Sequence, residues 1–374
     1  MVADNVRVTA YIEAMRRAIK PGASVLDLGA GPGFFSVIAC RLGAQTVYAV
    51  DINESVFLAK EVAGENGIRD RLTVFRRNSA DLTLPAPVDV LVSDLRGVLP
   101  LHGPHLHTIR DARRRHLADG GRQIPESDLL FLTGIEDSEI YSRATRAADT
   151  IKGVSLAPLL SYLQNQPLSL RSVEILSEKT LLTSDSCWAE IDYTSNASDD
   201  VAGKAVLSAR RSGTLHGYII WFRTRLVEDV GFDTRPGRGE QVYGHVFFPL
   251  SRPIEMALDD SIEVEVGANW LGDRYIWRWR TKYHDQARGE DTSYVQSTFH
   301  GSPVVQEIML ARQRKGAVSL SEEGLAARRC LTLMAEAMPT EEIVTLVREE
   351  FPTKFPNELQ ALTFVSNLTS RFGS

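Results

Sequence analysis

The apolar positions of this chain change period twice, and the changes divide it into three stretches. Over residues 1–124, helical and strand-like runs alternate. Val6, Ala10, Ile12, Met15 and Ile19 form a helical stripe within residues 1–20, stopped by Pro21-Gly22. A strand over 24–28, a helix over 33–42 and a strand over 46–50 follow. A helix is expected over 53–66, with Asn53 as its cap and Asn66-Gly67 as its stop. Further strands fall at 72–76 and 88–93, the second apolar enough to be buried on both faces, and a helix at 104–117 ends near Gly120-Gly121. Strands and helices alternating at this spacing predict a parallel sheet with right-handed crossovers.

From Pro125 to about residue 310 the apolar runs become short and β-like. Examples are Leu129 to Leu132, Trp188 to Tyr193, Gly217 to Phe222, His245 to Leu250, Ile262 to Val266 and Tyr275 to Trp279. Turn residues such as Gly231, Pro236, Gly237 and Gly239 separate them, so an antiparallel sandwich or barrel is expected. Residues 139–168 are mixed and partly helical, an excursion from that domain. Residues 318–374 turn helical again, over 322–337, 343–351 and 358–372. The expected domains are therefore 1–124, 125–310 and 318–374.

The first crossover carries the chemistry. Val25-Leu26-Asp27-Leu28 runs into Gly29-Ala30-Gly31-Pro32-Gly33, and Asp51 closes the second strand. Glycines let the backbone turn sharply and approach a ligand with no Cβ in the way. Asp51 stands near the ~20-residue offset at which an acid grips a ribose hydroxyl pair. A pyrophosphate needs free N–H groups at the helix start, but Pro32 removes one and Asp27 brings negative charge. Asp27 suits an ammonium instead. The segment resembles the glycine motif of class I S-adenosylmethionine-dependent methyltransferases, which implies that cofactor.

Composition narrows the remaining classes. With 42 Lys and Arg against 48 Asp and Glu, the net charge is −6, which argues against a general nucleic-acid binder. Cys40, Cys187 and Cys330 lie far apart and make no metal spacing, so no metal is expected. There is no long apolar stretch and no signal-peptide core, so a cytoplasmic protein without a membrane segment is expected.

Over about residues 1–310 the order of motifs resembles the protein arginine methyltransferases. The likeness is carried by Asp4-x-x-Arg7 with Tyr11, by Val25 to Gly33, and by Val88-Asp89-Val90-Leu91-Val92-Ser93-Asp94-x-x-Gly97. Ile124-Pro125, His216-Gly217 with Trp221-Phe222, and Gly231-Phe232-x-Thr234-x-Pro236 extend it. The resemblance implies a Rossmann-like domain, a β-barrel, a homodimer built by the 139–168 arm, and methyl transfer to nitrogen. It implies that Arg7 holds the cofactor carboxylate and Asp51 the ribose, with Asn78 and Ser79 near the adenine. Together with the glycine motif, the expected cofactor site is Arg7, Asp27, Gly29, Ala30, Gly31, Gly33, Asp51, Ile52, Asn78 and Ser79.

Departures from the family concern catalysis. Its first catalytic glutamate corresponds to Asp94, its second to Gly103, and its T-H-W signature falls near Glu240-Gln241-Val242 and is absent. One aspartate cannot fork a planar guanidinium as two carboxylates do. Asp94, Tyr243 and His245 are therefore the expected catalytic residues for an amine acceptor, with His102, His105 and His107 as further candidate bases. The C-terminal stretch is similar to the small winged-helix domain that captures leader peptides in ribosomal peptide maturation, which implies a peptide or protein substrate. A small-molecule methyltransferase and a cofactor-binding scaffold are the alternatives.

Overall fold

The computed structural model describes residues 4–101, 103–145, 150–151, 154–170, 176–195, 197–238, 242–285, 288–302 and 319–373. The chain divides into two compact units, Met1–Pro303 and Val304–Ser374.

The first unit opens as the sequence pattern requires. Helix α1 (Asn5–Ala18) is capped by the Asp4 side chain, which accepts the Arg7 amide N–H. Strands β1 (Ser24–Leu28), β2 (Thr46–Asp51), β3 (Leu72–Arg76), β4 (Val88–Ser93) and β5 (Leu117–Ile124) form one parallel sheet in the order β3-β2-β1-β4-β5. Helices α2 (Phe34–Arg41), α3 (Leu58–Glu65) and α4 (His105–His116) cross between them. Val25, Leu26, Val47, Val50, Leu91 and Val92 are buried at the centre. The order reverses between β1 and β4, and ligands bind outside the carboxyl ends of the strands at such a switch point.

Two local outcomes differ from expectation. The helix expected over 53–66 splits into a tight turn, Glu54–Phe57, followed by α3. Asn53 does not cap it. Its side-chain and backbone N–H groups donate to Asp51 Oδ1 instead. Strand β5 was not anticipated either, because Gly120, Gly121, Arg122 and Gln123 give it no apolar run.

Beyond Pro125 come two antiparallel sheets. The first comprises β6 (Ser127–Ile135), β9 (Leu168–Leu170), β10 (Leu181–Asp192), β12 (Gly213–Val227), β13 (Val230–Asp233) and β14 (His245–Met256). The second comprises β11 (Val201–Ser208), β15 (Ser261–Trp270), β16 (Tyr275–Asp285) and β17 (Glu290–Ser297). A Thr183–Ala209 bridge joins them, and Trp188, Tyr218, Phe222, Phe248, Trp277 and Trp279 fill the space between. This is the Rossmann-like and β-barrel pairing expected from the sequence. The excursion contains α5 (Ser138–Thr145), the hairpin β7–β8 (Thr150–Ile151, Val154–Ser155) and α6 (Ala157–Leu163).

The second unit has helices α7 (Glu322–Ala335), α8 (Thr340–Glu350) and α9 (Glu358–Phe372). Ser321 and Asn357 cap the first and last by accepting backbone N–H groups. The helices close on a core of their own, with Cys330, Leu333, Ile343, Val347, Phe355 and Val365 buried. No strand occurs among the described residues 319–373, and residue 318 lies outside them.

Candidate functional site

The glycine turn behaves as its composition demands. Gly29, Gly31 and Gly33 all have positive φ, +80°, +50° and +80°. A Cβ on Gly33 would stand 2.5 Å from the Ala59 Cβ, so only glycine lets α2 start here against α3. Asp51 ties the turn to β2: its Oδ2 accepts the Gly31 N–H at 2.9 Å, and its Oδ1 accepts the Asn53 N–H at 2.9 Å.

A cavity of about 260 Å³ opens beside this turn. Gly29, Asp51, Ile52, Asn78 and Ser79, all expected around a cofactor, line it together with Leu28, Val50, Leu95, His105 and Thr108. Apolar walls together with the Asp51 carboxylate fit a nucleoside, and Arg77 lines the cavity as well. Ala30, Gly31 and Gly33 belong to the adjoining turn, whereas Arg7 on α1 and Asp27 on β1 are not among the lining residues. Asp27 is buried on β1, its Oδ2 accepting the Ser36 hydroxyl at 2.5 Å, and burial pushes its carboxyl up to about 6.

Arg7 and Asp94 meet in a second cluster, at the end of β4. The Arg7 Nε–H donates to Asp94 Oδ2 at 2.5 Å. Tyr243 donates its hydroxyl to the same carboxylate, 2.7 and 2.8 Å from the two oxygens, and Arg96 Nη1 donates to Oδ1 at 3.0 Å. Burial by itself would raise the Asp94 carboxyl, but Arg96 and Arg7 outweigh it and hold the group below its usual range. Burial and the Asp94 charge keep Tyr243 protonated well past its ordinary range.

Arg96 extends the cluster into the barrel. Its Nε donates to Asp128 Oδ2 at 2.8 Å, Nη2 to the Thr224 hydroxyl at 2.7 Å, and Nη1 to the Tyr11 hydroxyl at 2.7 Å. Tyr193 donates to Asp128 Oδ2 at 2.5 Å, and His105 Nε2 lies 3.0 Å from the Tyr193 oxygen. Sequence reasoning passed over Arg96, Asp128, Tyr193 and Thr224. The available signal was a charge set inside an apolar run, Asp128 ahead of Leu129 to Leu132.

The remaining expected residues separate. His245 is half-buried with Nε2 3.0 Å from the Thr234 carbonyl oxygen. His107 pairs with Asp199 on the surface. His102, Glu240 and Gln241 lie outside the described residues, whereas Val242 donates its N–H to Asp4 Oδ2. Among the described residues, no group of three or more His, Cys, Asp or Glu side chains forms a metal site, and no helix is long and apolar enough to cross a membrane.

Residues 8–99 match the family model of ribosomal protein L11 methyltransferase (PrmA). Protein arginine N-methyltransferase 1 of Saccharomyces cerevisiae is 26% identical over 276 residues, 71% of this chain and 78% of that protein. The Trypanosoma brucei PRMT1 enzyme–prozyme heterotetrameric complex with AdoHcy shares the fold at a TM-score of 0.71 and 20% identity, covering 79% of this chain and 96% of that one. The chain is an arginine-methyltransferase-like class I S-adenosylmethionine-dependent methyltransferase. The methyltransferase spans about half the length of another relative, probable protein arginine N-methyltransferase 6 of Arabidopsis thaliana, which is 27% identical and covered to 52%.

In this methyltransferase, Arg96 is the ion-pair partner of Asp128 among the described residues. Arg96→Met removes it and leaves Asp128 buried without a counterion. A loss of about 3–5 kcal/mol in urea unfolding is expected, and an unchanged midpoint would contradict the assigned role.

Proposed function

We propose that the protein transfers a methyl group from S-adenosylmethionine to a nitrogen of a peptide or protein. The reading rests on Asp94, a buried carboxylate held ionised at the end of β4, whose neighbour Leu95 lines the cavity beside Asp51. The cofactor supplies, when bound, a methyl group on a positively charged sulfur. The protein's own task is then to hold a nucleophile in line, a proximity effect worth up to ~7–11 kcal/mol. Asp51 would hold the ribose and Arg7 the carboxylate of the cofactor, with Asp94 and Tyr243 orienting the acceptor nitrogen.

The relatives are named for arginine, and their acceptor is the natural comparison. Two features of this chain favour an amine instead. Gly103 provides no second carboxylate, and Asp94 already accepts from Arg7, Arg96 and Tyr243. The same two features support a second reading, a cofactor-binding scaffold without turnover.

Substrate capture would fall to residues 318–374, as a leader-peptide or peptide-recognition module of ribosomal peptide maturation. Exposed Leu320, Leu359 and Leu362 on that unit suit an apolar peptide face. The 139–168 excursion would form a homodimer, and its exposed Val154 and Leu159 support that. A cytoplasmic location completes the reading.

Calorimetry with S-adenosylhomocysteine should give saturable binding to the wild type, and its absence would remove the basis of both readings. For Asp94→Asn, turnover should drop by on the order of 10² or more while that binding persists. A wild type that binds but never turns over any peptide amine favours the scaffold. Deleting residues 304–374 should weaken peptide substrates and leave cofactor affinity unchanged; equal loss of both contradicts a capture role. Light scattering should return a dimer mass, and a monomer at micromolar concentration would count against the arm.

A further inference from the structure

One buried polar atom, on a residue that lines this cavity, is left over. His105 is the first residue of α4, 1% exposed, and lines the cavity together with Leu95 and Thr108. Its Nε2 meets Tyr193, while its Nδ1 has no hydrogen-bond partner. A buried, unsatisfied ring nitrogen costs roughly 1–3 kcal/mol unless something supplies the missing bond.

The neighbours fix which proton the ring carries. Asp128 is paired with Arg96 and can only accept. Tyr193 therefore spends its single proton on Asp128 Oδ2, at 2.5 Å, and burial holds that hydroxyl protonated. The Tyr193 oxygen is left as an acceptor, so His105 must donate to it from Nε2–H. In a neutral imidazole the other nitrogen is then a bare lone pair. Burial, and the Arg96 charge after it, push the imidazole down to about 3, so it stays neutral across the physiological range. Such a group is too weak a base to take a substrate proton and well suited to accept a hydrogen bond.

We propose that His105 Nδ1 accepts a hydrogen bond from the adenosyl group of the cofactor, in a tautomer imposed by Tyr193 and Asp128. The inference rests on the cofactor reading given above. The adenosyl group offers two kinds of donor, the purine amino group and the ribose hydroxyls. Asp51 lines the same cavity as a second acceptor, beside the donor Arg77, and two acceptors suit the amino and hydroxyl donors of an adenosyl group. His105 is thus a specificity-determining and positioning residue, and its ring links the cavity through Tyr193, Asp128 and Arg96 to Asp94.

Calorimetry on the full chain tests this with S-adenosylhomocysteine, its inosine counterpart lacking the purine amino group, and its 2′-deoxy and 3′-deoxy counterparts. His105→Phe should weaken S-adenosylhomocysteine roughly tenfold. The counterpart that lacks the relevant donor should bind wild type and variant alike, which identifies the donor. Uniform weakening of all four, or none, overturns the proposal. If the wild type does not bind S-adenosylhomocysteine, the cofactor reading itself fails; if it binds and His105→Phe binds equally, only this inference fails. Nitrogen-15 NMR of histidine-labelled wild type gives an answer that needs no variant to fold. The ligand-free protein should show the His105 ring protonated at Nε2, with the Nδ1 resonance alone moving on ligand addition. A ring protonated at Nδ1 overturns the proposal.

Discussion

Burying a guanidinium costs several kcal/mol unless acceptors surround it, and Arg96 meets that condition with groups from both halves of the first unit. Asp94 follows β4 of the parallel sheet and Tyr11 belongs to α1, whereas Asp128 and Thr224 come from β6 and β12 of the barrel. Phe222 covers the guanidinium with its Cζ 5.5 Å from the ring centroid. Neither domain alone could satisfy this side chain. The pairing therefore fixes how the sheet and the barrel meet, and the cavity and Asp94 inherit their positions from it.

The same cluster explains the unusual state of Asp94. In an apolar pocket a lone carboxylate would be driven toward its neutral form. Two arginines and a tyrosine reverse that tendency and leave the charge fully engaged. Under the proposed function a substrate group would have to displace or join these partners to reach the carboxylate. Arg7 would then be the natural one to yield, since a cofactor carboxylate would offer it an equivalent partner.

Much of the parallel domain was legible because buried strands write themselves as apolar runs. Strands 24–28, 72–76 and 88–93 have the bounds that periodicity gives. Strand β5 escaped because it is an edge strand with Gly120, Gly121 and Arg122 in it, and β11 and β17 because alternate exposed residues dilute their apolar content. The glycine turn and Asp51 were readable from spacing, since backbone geometry leaves few residue choices there. The Arg96 cluster was not, because its members lie far apart in sequence and only the folded barrel brings them together. In the sequence His105 is one of several candidate bases; its significance depends on Tyr193, 88 positions further on.

The second unit carries its own hydrophobic centre, built from Cys330, Leu333, Ile343, Val347 and Val365. A substitution at any of these positions is therefore felt first by the other two helices of the same unit, whose buried faces share that centre.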